Sequence, residues 1–409
     1  MLESNMFLIK ILKNQLIVIF IFFTIIVALL YSNFGFYSFT GYKPRPEFWD
    51  LYNATGWWNC YKSVGLDVFL STSSPLDVCR NFNYGYFSMV SMGLTTSIYG
   101  SVKFWGLLQI IVFVSLLVKV YYRKNLTHQK SIYLLALFSP GLFLLYLSGN
   151  MDIQIICLLL IANHFIVSGK EKLGLTLICI TALLKFYTAP ILLITSLIVK
   201  RKNSKIYGWM LIFCTASIIL YQLVKTPPTA FPDGAQNKFG SGIFDNYARK
   251  AGIAMSKFQG ELLGVLFLFV AISLIIFCYN KYKPRQEVTP IKLSKLQQEL
   301  SLNFLMMAGT SIACYLGGLN VDYRLTFIAL AGIALFQIPQ TKVKFVSATF
   351  PYFWLLSLWI SYPFANFKRY IGLDLQPVGD IFMVGTIAYL IFQGFFIFKL
   401  LINDKKISA

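Results

Sequence analysis

Apolar runs of about 20 residues recur along nearly the whole chain, and short polar connections separate them. A helix needs about 20 apolar residues to cross a bilayer core of about 30 Å. Only 13% of the 409 residues are charged, whereas a soluble domain carries about 25%. The sequence therefore predicts an all-α polytopic membrane protein, a single membrane-embedded domain over residues 1–409 with about ten transmembrane spans.

The chain is strongly basic, with 36 Lys and Arg residues against 16 Asp and Glu and a net charge of +20. Its basic residues cluster in short connections between apolar runs, which is the pattern of cytoplasmic loops. This pattern favours anionic lipid over nucleic acid as the partner of the positive charge. We expect a multi-pass protein of the cell (inner) membrane with both termini in the cytoplasm. The first apolar run, 14–39, is expected to be a retained span rather than a cleaved signal peptide.

The first long polar segment, residues 41–84, follows that span and is predicted to be extracytoplasmic. It contains four acidic and four basic residues. Acidic side chains this close to a membrane are unfavourable unless they face water or pair with a base, so they are candidates for function. The run 86–100 is predicted to be an interfacial helix, which extends the extracytoplasmic loop over 41–101. Asp50 is the candidate catalytic base, and Glu47 lies three residues upstream.

The apolar run 173–199 has basic residues on both flanks, GKEK before it and KRKNSK after it. The positive-inside rule places both ends in the cytoplasm, which a single span cannot satisfy. Lys185 and Pro190 interrupt the run near its middle, and proline removes a backbone hydrogen bond from a helix. We predict a re-entrant hairpin of two half-length helices with Lys185 at its tip. The alternative is one long tilted span with a snorkelling lysine, which would invert the sidedness of all later segments.

With the hairpin in place, five polar clusters fall on the extracytoplasmic side. A face with both acids and bases suits an anionic lipid headgroup together with a hydroxyl acceptor. Basic groups would bind phosphate, arginine bidentately, and an acid would take the proton of the acceptor. The clusters are Glu47 with Asp50, Arg80 with Tyr84, Asn150 with Asp152, the Lys185 tip, and Asp322 with Arg324.

Each cluster also has a purely structural interpretation. The alternatives are helix capping by Asp50, Asn150 and Asp152, an ion pair limited to Asp322 and Arg324, and a solvated loop charge at Arg80. Both interpretations stay open from the sequence.

The seven cysteines do not form a disulfide framework, because five of them lie in or beside apolar runs. Cys60 and Cys79 share the first loop, and we predict a disulfide between them because the extracytoplasmic side is oxidising. Two free thiols are the alternative. No cysteine pair has the spacing of zinc ligands and the chain has two histidines, so no metal site is expected.

Four short motifs resemble those of the GT-C membrane glycosyltransferases, most closely glycosyltransferase family 87, the polyprenyl-phosphate-mannose-dependent mannosyltransferases. The similar stretches cover about residues 14–340. They are Asp50-Leu51-Tyr52 for the family's acidic loop motif, Gly149-Asn150-x-Asp152 for its polar turn, Gly174 to Pro190 for its hairpin, and Asp322-Tyr323-Arg324-Leu325 for its late Y-R-L element.

The resemblance implies a GT-C-like fold and an inverting transfer of a hexose, with mannose the first expectation. The donor would be a polyprenyl-phosphate sugar, which is a substrate, so no cofactor is expected. The acceptor would be a glycolipid or lipid-linked glycan at the extracytoplasmic face. Asp50 would deprotonate the acceptor hydroxyl, and the basic residues would stabilise the departing phosphate. The substrate-binding residues would be Glu47, Tyr52, Arg80, Tyr84, Asn150, Asp152, Lys185, Asp322 and Arg324.

A membrane transporter, for example a flippase for a lipid-linked glycan, is the rival class. Broken helices suit a transporter as well. A transporter is expected to place its acids near mid-membrane in paired repeats, whereas here the acids cluster toward one interface and no repeat is evident.

Overall fold

The computed structural model describes residues 48–64, 91, 102–121, 135–137, 139–225, 238–239, 252–282, 293–316, 320–321, 324–338, 344–360 and 376–408. The elements in these ranges are helices, apart from one pair of short β-strands with two residues in each strand. The helices are α1 (Trp49–Val64), α2 (Val102–Tyr121), α3 (Pro140–Ser148), α4 (Asp152–Val167), α5 (Glu171–Leu184), α6 (Ala189–Ile198), α7 (Lys202–Lys225), α8 (Lys257–Tyr282), α9 (Lys295–Leu316), α10 (Leu325–Gln337), α11 (Lys344–Ile360) and α12 (Gln376–Ser408). Strands β1 (Lys238–Phe239) and β2 (Asn320–Val321) pair antiparallel.

Helix α9 lies at the centre of the bundle, where it packs against α4, α6, α10 and α12. Its side chains are buried on every side between residues 300 and 308, and those of α10 are buried from 325 to 335. Hydrogen bonds hold α4 and α12 beside α9 and the residues that precede it. The Asn163 amide of α4 donates to Oδ1 of Asn303 at 2.5 Å, and Asp404 of α12 accepts the Leu293 N–H at 2.8 Å.

Four described helices are long and apolar enough to cross a membrane, which supports the predicted membrane-protein class. These stretches are Val102–Tyr121, Lys202–Tyr221, Phe258–Lys281 and Pro377–Asp404. The described residues give four such stretches, or five if α3 and α4 form one broken span, so the predicted number of about ten spans is not reached in them. The predicted first span, 14–39, and the interfacial helix at 86–100, except Ser91, lie outside the described residues.

Helices α7 and α8 expose apolar side chains that a water-facing helix would not carry. Phe213 of α7 is 75% exposed and Phe269 of α8 is 65% exposed. Lipid is as apolar as these side chains, so a membrane would cover them at no penalty.

The predicted outward span 131–148 is not one continuous helix. Ser139 is extended, with φ −62° and ψ 149°, and α3 begins at Pro140. Proline disfavours helical geometry in the residue before it and clashes with the carbonyl four residues back. The nine residues of α3 reach only about 14 Å. The chain then bends by 106° into α4, so the predicted pair of antiparallel spans is replaced by a short helix and a bend.

The predicted hairpin is present over residues 171–200. Helix α5 ends at Leu184, and the next residue, Lys185, is extended with φ −148° and ψ 120°. A 3₁₀ turn, Phe186–Thr188, then leads into α6. The Glu171 carboxylate at the start of α5 accepts the backbone N–H groups of Lys200 at 2.7 Å and Arg201 at 3.2 Å. The two ends of the segment therefore meet, and a single straight span through 173–199 is excluded.

Candidate functional site

Four segments that are distant in sequence meet at the end of the bundle that holds the hairpin tip. They are the start of α1, the turn between α3 and α4, the hairpin tip, and the start of α10. Each contributes one or more polar side chains to a continuous network, formed by Asp50, Asn150, Asp152, Lys185, Tyr187 and Arg324.

The Asn150 side chain joins the two halves of this network. Its Nδ2 donates to Oδ2 of Asp50 at 2.6 Å. Its Oδ1 accepts the Lys185 ammonium at 2.9 Å and the Asp152 backbone N–H at 3.0 Å. A flipped amide would turn its NH₂ group toward the ammonium, so the chemistry of the partners fixes the amide orientation.

Lys185 and Asp152 form a buried ion pair. The Lys185 Nζ lies 2.5 Å from Asp152 Oδ1, and the two side chains are 2% and 0% exposed. Burial of two charges is tolerated only when they are paired and hydrogen-bonded. Because one amide separates Lys185 from Asp50, the two charged groups lie within roughly 8 Å of each other.

Arg324 and Tyr187 close the far side of the network. Arg324 Nε lies 3.8 Å from Asp152 Oδ2, and its guanidinium carbon lies 5.0 Å from the centroid of the Tyr187 ring. The Tyr187 hydroxyl donates to Asp152 Oδ1. Asp152 thus holds two cations. The Tyr187 ring adds cation–π attraction to both of them, since Lys185 Nζ also lies 5.8 Å from its centroid.

Asp50 is the partly buried member of the network on α1. Burial raises the pKa of its carboxyl, while the Asn150 hydrogen bond and the positive charge of Lys185 act in the opposite direction. The net effect is a raised pKa. A more basic carboxylate is a better acceptor for the proton of an alcohol.

An unusual backbone conformation before α1 positions Asp50. Phe48 has a φ of 59°, which is rare for a bulky residue, and its N–H donates to the Leu147 carbonyl at 2.7 Å. A Cβ at Gly106 of α2 would lie 2.5 Å from the Phe48 ring. The ring therefore fills space that only a glycine leaves, and this contact anchors the first turn of α1.

Gly149 ends α3 in the left-handed conformation, with φ 61°, next to the same ring. A Cβ there would lie 3.0 Å from both Phe48 and Leu51. We expect Gly149→Ala to destabilise the fold by about 2–3 kcal/mol, since left-handed geometry alone disfavours alanine by about 1–2 kcal/mol. Thermal unfolding of the purified protein measures this. Gly252→Ala is the matched control, because Gly252 has φ 74° with no atom within 4 Å of the added Cβ; equal losses in both variants would contradict a packing role.

The structure brings together members of four of the five predicted clusters, through Asp50, Asn150, Asp152, Lys185 and Arg324. Asn150 Oδ1 also accepts the Asp152 N–H at the start of α4, although the N-cap position of that helix is Met151. Lys185 lies in the network as predicted, beside Asn150 and Asp152, and its side chain is buried there rather than turned toward lipid. Tyr187 was not predicted.

Several predicted site residues lie outside the part of the chain that the structure describes. Glu47, Arg80, Tyr84 and Asp322 lie outside the described residues, as does the side chain of Tyr52. Cys60 is buried and disulfide-bonded, whereas the five described cysteines of the later helices are free. Cys79, its predicted partner, lies outside the described residues.

Comparisons of the chain with protein-family models, curated proteins and solved structures found no match. The resemblance to family 87 therefore depends on the four short motifs.

Proposed function

We propose that this protein is an inverting membrane glycosyltransferase that moves a hexose, mannose first among the candidates, from a polyprenyl-phosphate sugar to a lipid-linked or glycan acceptor. The proposed active site faces the extracytoplasmic side. The observation that carries the proposal is the link, through one amide, between a partly buried carboxylate and a pair of basic groups. A base that activates the acceptor hydroxyl and basic groups that stabilise the departing phosphate are the parts that such a transfer uses.

The proposed step is a displacement at the anomeric carbon. Asp50 takes the hydroxyl proton of the acceptor, the acceptor oxygen bonds to the anomeric carbon, and the bond from that carbon to the phosphate oxygen breaks. The phosphate leaves with the electron pair and gains one negative charge as Asp50 loses one. Lys185 and Arg324 stabilise the new charge, Arg324 by contact and Lys185 from its buried position.

Asp152 has a supporting task in this scheme. Its carboxylate is 0% exposed and lies against both cations, so it holds them in place rather than meeting substrate. Groups held in place before the reaction stabilise a transition state without reorganisation.

Transfer of radiolabelled mannose from polyprenyl-phosphate-mannose to the membrane glycolipid fraction tests the proposal. We expect membranes that contain the protein to form a labelled glycolipid, and membranes without it to form none. Polyprenyl-phosphate-glucose and polyprenyl-phosphate-galactose run in parallel identify the hexose. Failure of all three donors with folded protein in endogenous membranes would contradict the proposal.

A transporter of a lipid-linked glycan is the second candidate, and the buried Lys185–Asp152 pair beside broken helices favours it. Intramembrane ion pairs are common along transport pathways. Movement of a fluorescent lipid-linked glycan across reconstituted liposomes, without any change in its sugar composition, would support this candidate over transfer.

A further inference from the structure

A second polar region lies at the opposite end of α4 from the candidate site, roughly 24 Å away along the helix. It is a cleft of about 440 Å³ at the base of the hairpin, where α5 begins and α6 passes into α7. Its lining includes Lys170, Lys172 and Arg201, with the polar side chains of Asn203 and Ser204 beside them. The proposed transfer reaction uses none of these residues.

The cleft carries an excess of positive charge. Its three basic side chains are exposed, and in the described part of the chain none of them forms an ion pair. Lys170 Nζ lies 5.8 Å from the Phe165 ring centroid and Lys172 Nζ lies 5.8 Å from that of Tyr207. These rings position the ammonium groups without neutralising them.

The cleft also contains one described carboxylate, that of Glu171. The residue is 5% exposed, and its oxygens accept the backbone N–H groups of Lys200 and Arg201. The cleft thus has three basic side chains and one carboxylate that is already hydrogen-bonded to the backbone. Its net positive charge attracts anions.

The cleft lies at the level where candidate spans end. One such stretch begins at Lys202, and another ends at Asp404. Asp404 and Arg201 both line a smaller adjoining cavity of about 210 Å³. The ends of membrane spans lie at the depth of the lipid headgroups, so the basic residues are level with lipid phosphates.

Apolar surface leads away from the cleft along the hairpin and α7. Leu173 lines the cleft and is 45% exposed, and Ile180, seven residues later on the same helical face, is 41% exposed. On α7, Ile206 is 53% exposed and Met210 is 61% exposed. A ligand with a charged head and apolar chains would contact both the basic cleft and this apolar surface, whereas a free phosphate would contact only the basic cleft.

We propose that this cleft is a binding site for the phosphate headgroup of an anionic membrane lipid. Lys170, Lys172 and Arg201 bind the phosphate oxygens, and the acyl chains lie along Leu173 and Ile180. Basic recesses between membrane helices are suited to such headgroups. The site is separate from the transfer chemistry, and its test does not depend on the proposed function.

Native mass spectrometry of the purified full-length protein, titrated with phosphatidylglycerol and with phosphatidylcholine, tests the site. We expect phosphatidylglycerol to bind more tightly. The double variant Lys170→Gln with Arg201→Gln should raise its dissociation constant by roughly 25-fold, at about fivefold for each basic residue. Lys202→Gln with Lys205→Gln is the matched control. It removes the same charge from the neighbouring turn outside the cleft, and it should change the constant by about twofold at most at 0.15 M salt.

Competition with glycerol phosphate distinguishes the source of the phosphate. If glycerol phosphate fails to displace the lipid, the acyl chains contribute and the ligand is a lipid. If it displaces the lipid and its own binding is lost in the Lys170→Gln, Arg201→Gln variant, the site is a phosphate site that soluble ligands also fill. Equal weakening in the cleft variant and the control variant, or no preference for phosphatidylglycerol, would overturn the proposal.

Discussion

Asp50→Asn is expected to lower the rate of sugar transfer by about 10²–10⁴-fold, the usual contribution of a general base. The change is close to isosteric, and the amide oxygen introduced at position 50 still accepts the Asn150 N–H that now bonds the carboxylate at 2.6 Å. The fold should therefore survive while the proton acceptor is lost. Radiolabelled mannose transfer by equal amounts of purified, monodisperse protein measures the effect.

Asp77→Asn is the matched control, since it makes the same chemical change in the same predicted loop at a residue with no assigned role. Its transfer rate should stay within about twofold of the native rate if the loss in Asp50→Asn comes from the base function of that one carboxylate. Near-normal turnover by Asp50→Asn would rule out Asp50 as the base. Glu47, three residues upstream, would then be the next candidate.

The pH dependence of the proposed transfer by the native protein tests the same carboxylate independently. Burial raises the pKa of Asp50 above that of a solvated aspartate, and only the ionised form accepts a proton. Transfer should therefore increase as pH rises through this raised pKa, with the acidic limb displaced to higher pH. An acidic limb at or below the pKa of a solvated aspartate would contradict the burial argument.

The sequence predicted much of this site because its chemistry is visible in residue type. Asp50, Asn150, Asp152, Lys185 and Arg324 are polar residues beside apolar runs, where few polar residues are tolerated. The hairpin was predictable for a similar reason, because basic flanks on both sides of 173–199 forced its two ends onto one side. Both predictions depend on the membrane, because a bilayer restricts where polar side chains and chain ends can lie far more than water does.

The parts that the sequence did not predict are those that depend on packing. Tyr187 stands among other apolar and aromatic residues of the hairpin, and only the fold shows that its hydroxyl meets Asp152. The left-handed geometry of Phe48 depends on the space left by Gly106 and by Gly149. The break at Ser139 had a sequence signal, the proline that follows it, but the 106° bend after α3 has no counterpart in hydropathy.

The role first assigned to Lys185 changes with its burial. A lysine in an open cavity would bind phosphate directly. A lysine with a 2% exposed side chain, paired to Asp152 at 2.5 Å, acts on phosphate mainly through its charge and by orienting Asn150. Arg324, with a 15% exposed side chain, is the better placed of the two for direct contact.

Loss of the Lys185 ammonium should accordingly affect folding as well as donor use. Lys185→Met removes the charge at similar volume and leaves the Asp152 carboxylate buried beside Arg324 at 3.8 Å. Breaking a buried pair on one side typically costs about 3–5 kcal/mol, and we expect a loss of that size in thermal or denaturant unfolding. Lys202→Met, at an exposed lysine, is the control and should change stability by about 0.5 kcal/mol or less.

The double variant Lys185→Met with Asp152→Asn separates stability from function. It removes both charges together, and replacing a whole buried pair is often close to neutral. Its stability should thus exceed the value predicted by adding the two single losses, with an interaction energy of about 1–3 kcal/mol. Donor use should not recover, because Asn150 still lacks the ammonium that orients it and Arg324 has lost the carboxylate that holds it in place. The KM for the polyprenyl-phosphate sugar should be raised more than the KM for the acceptor. Native stability in Lys185→Met alone would show that the ammonium is not confined beside Asp152, and the snorkelling interpretation would replace the buried pair.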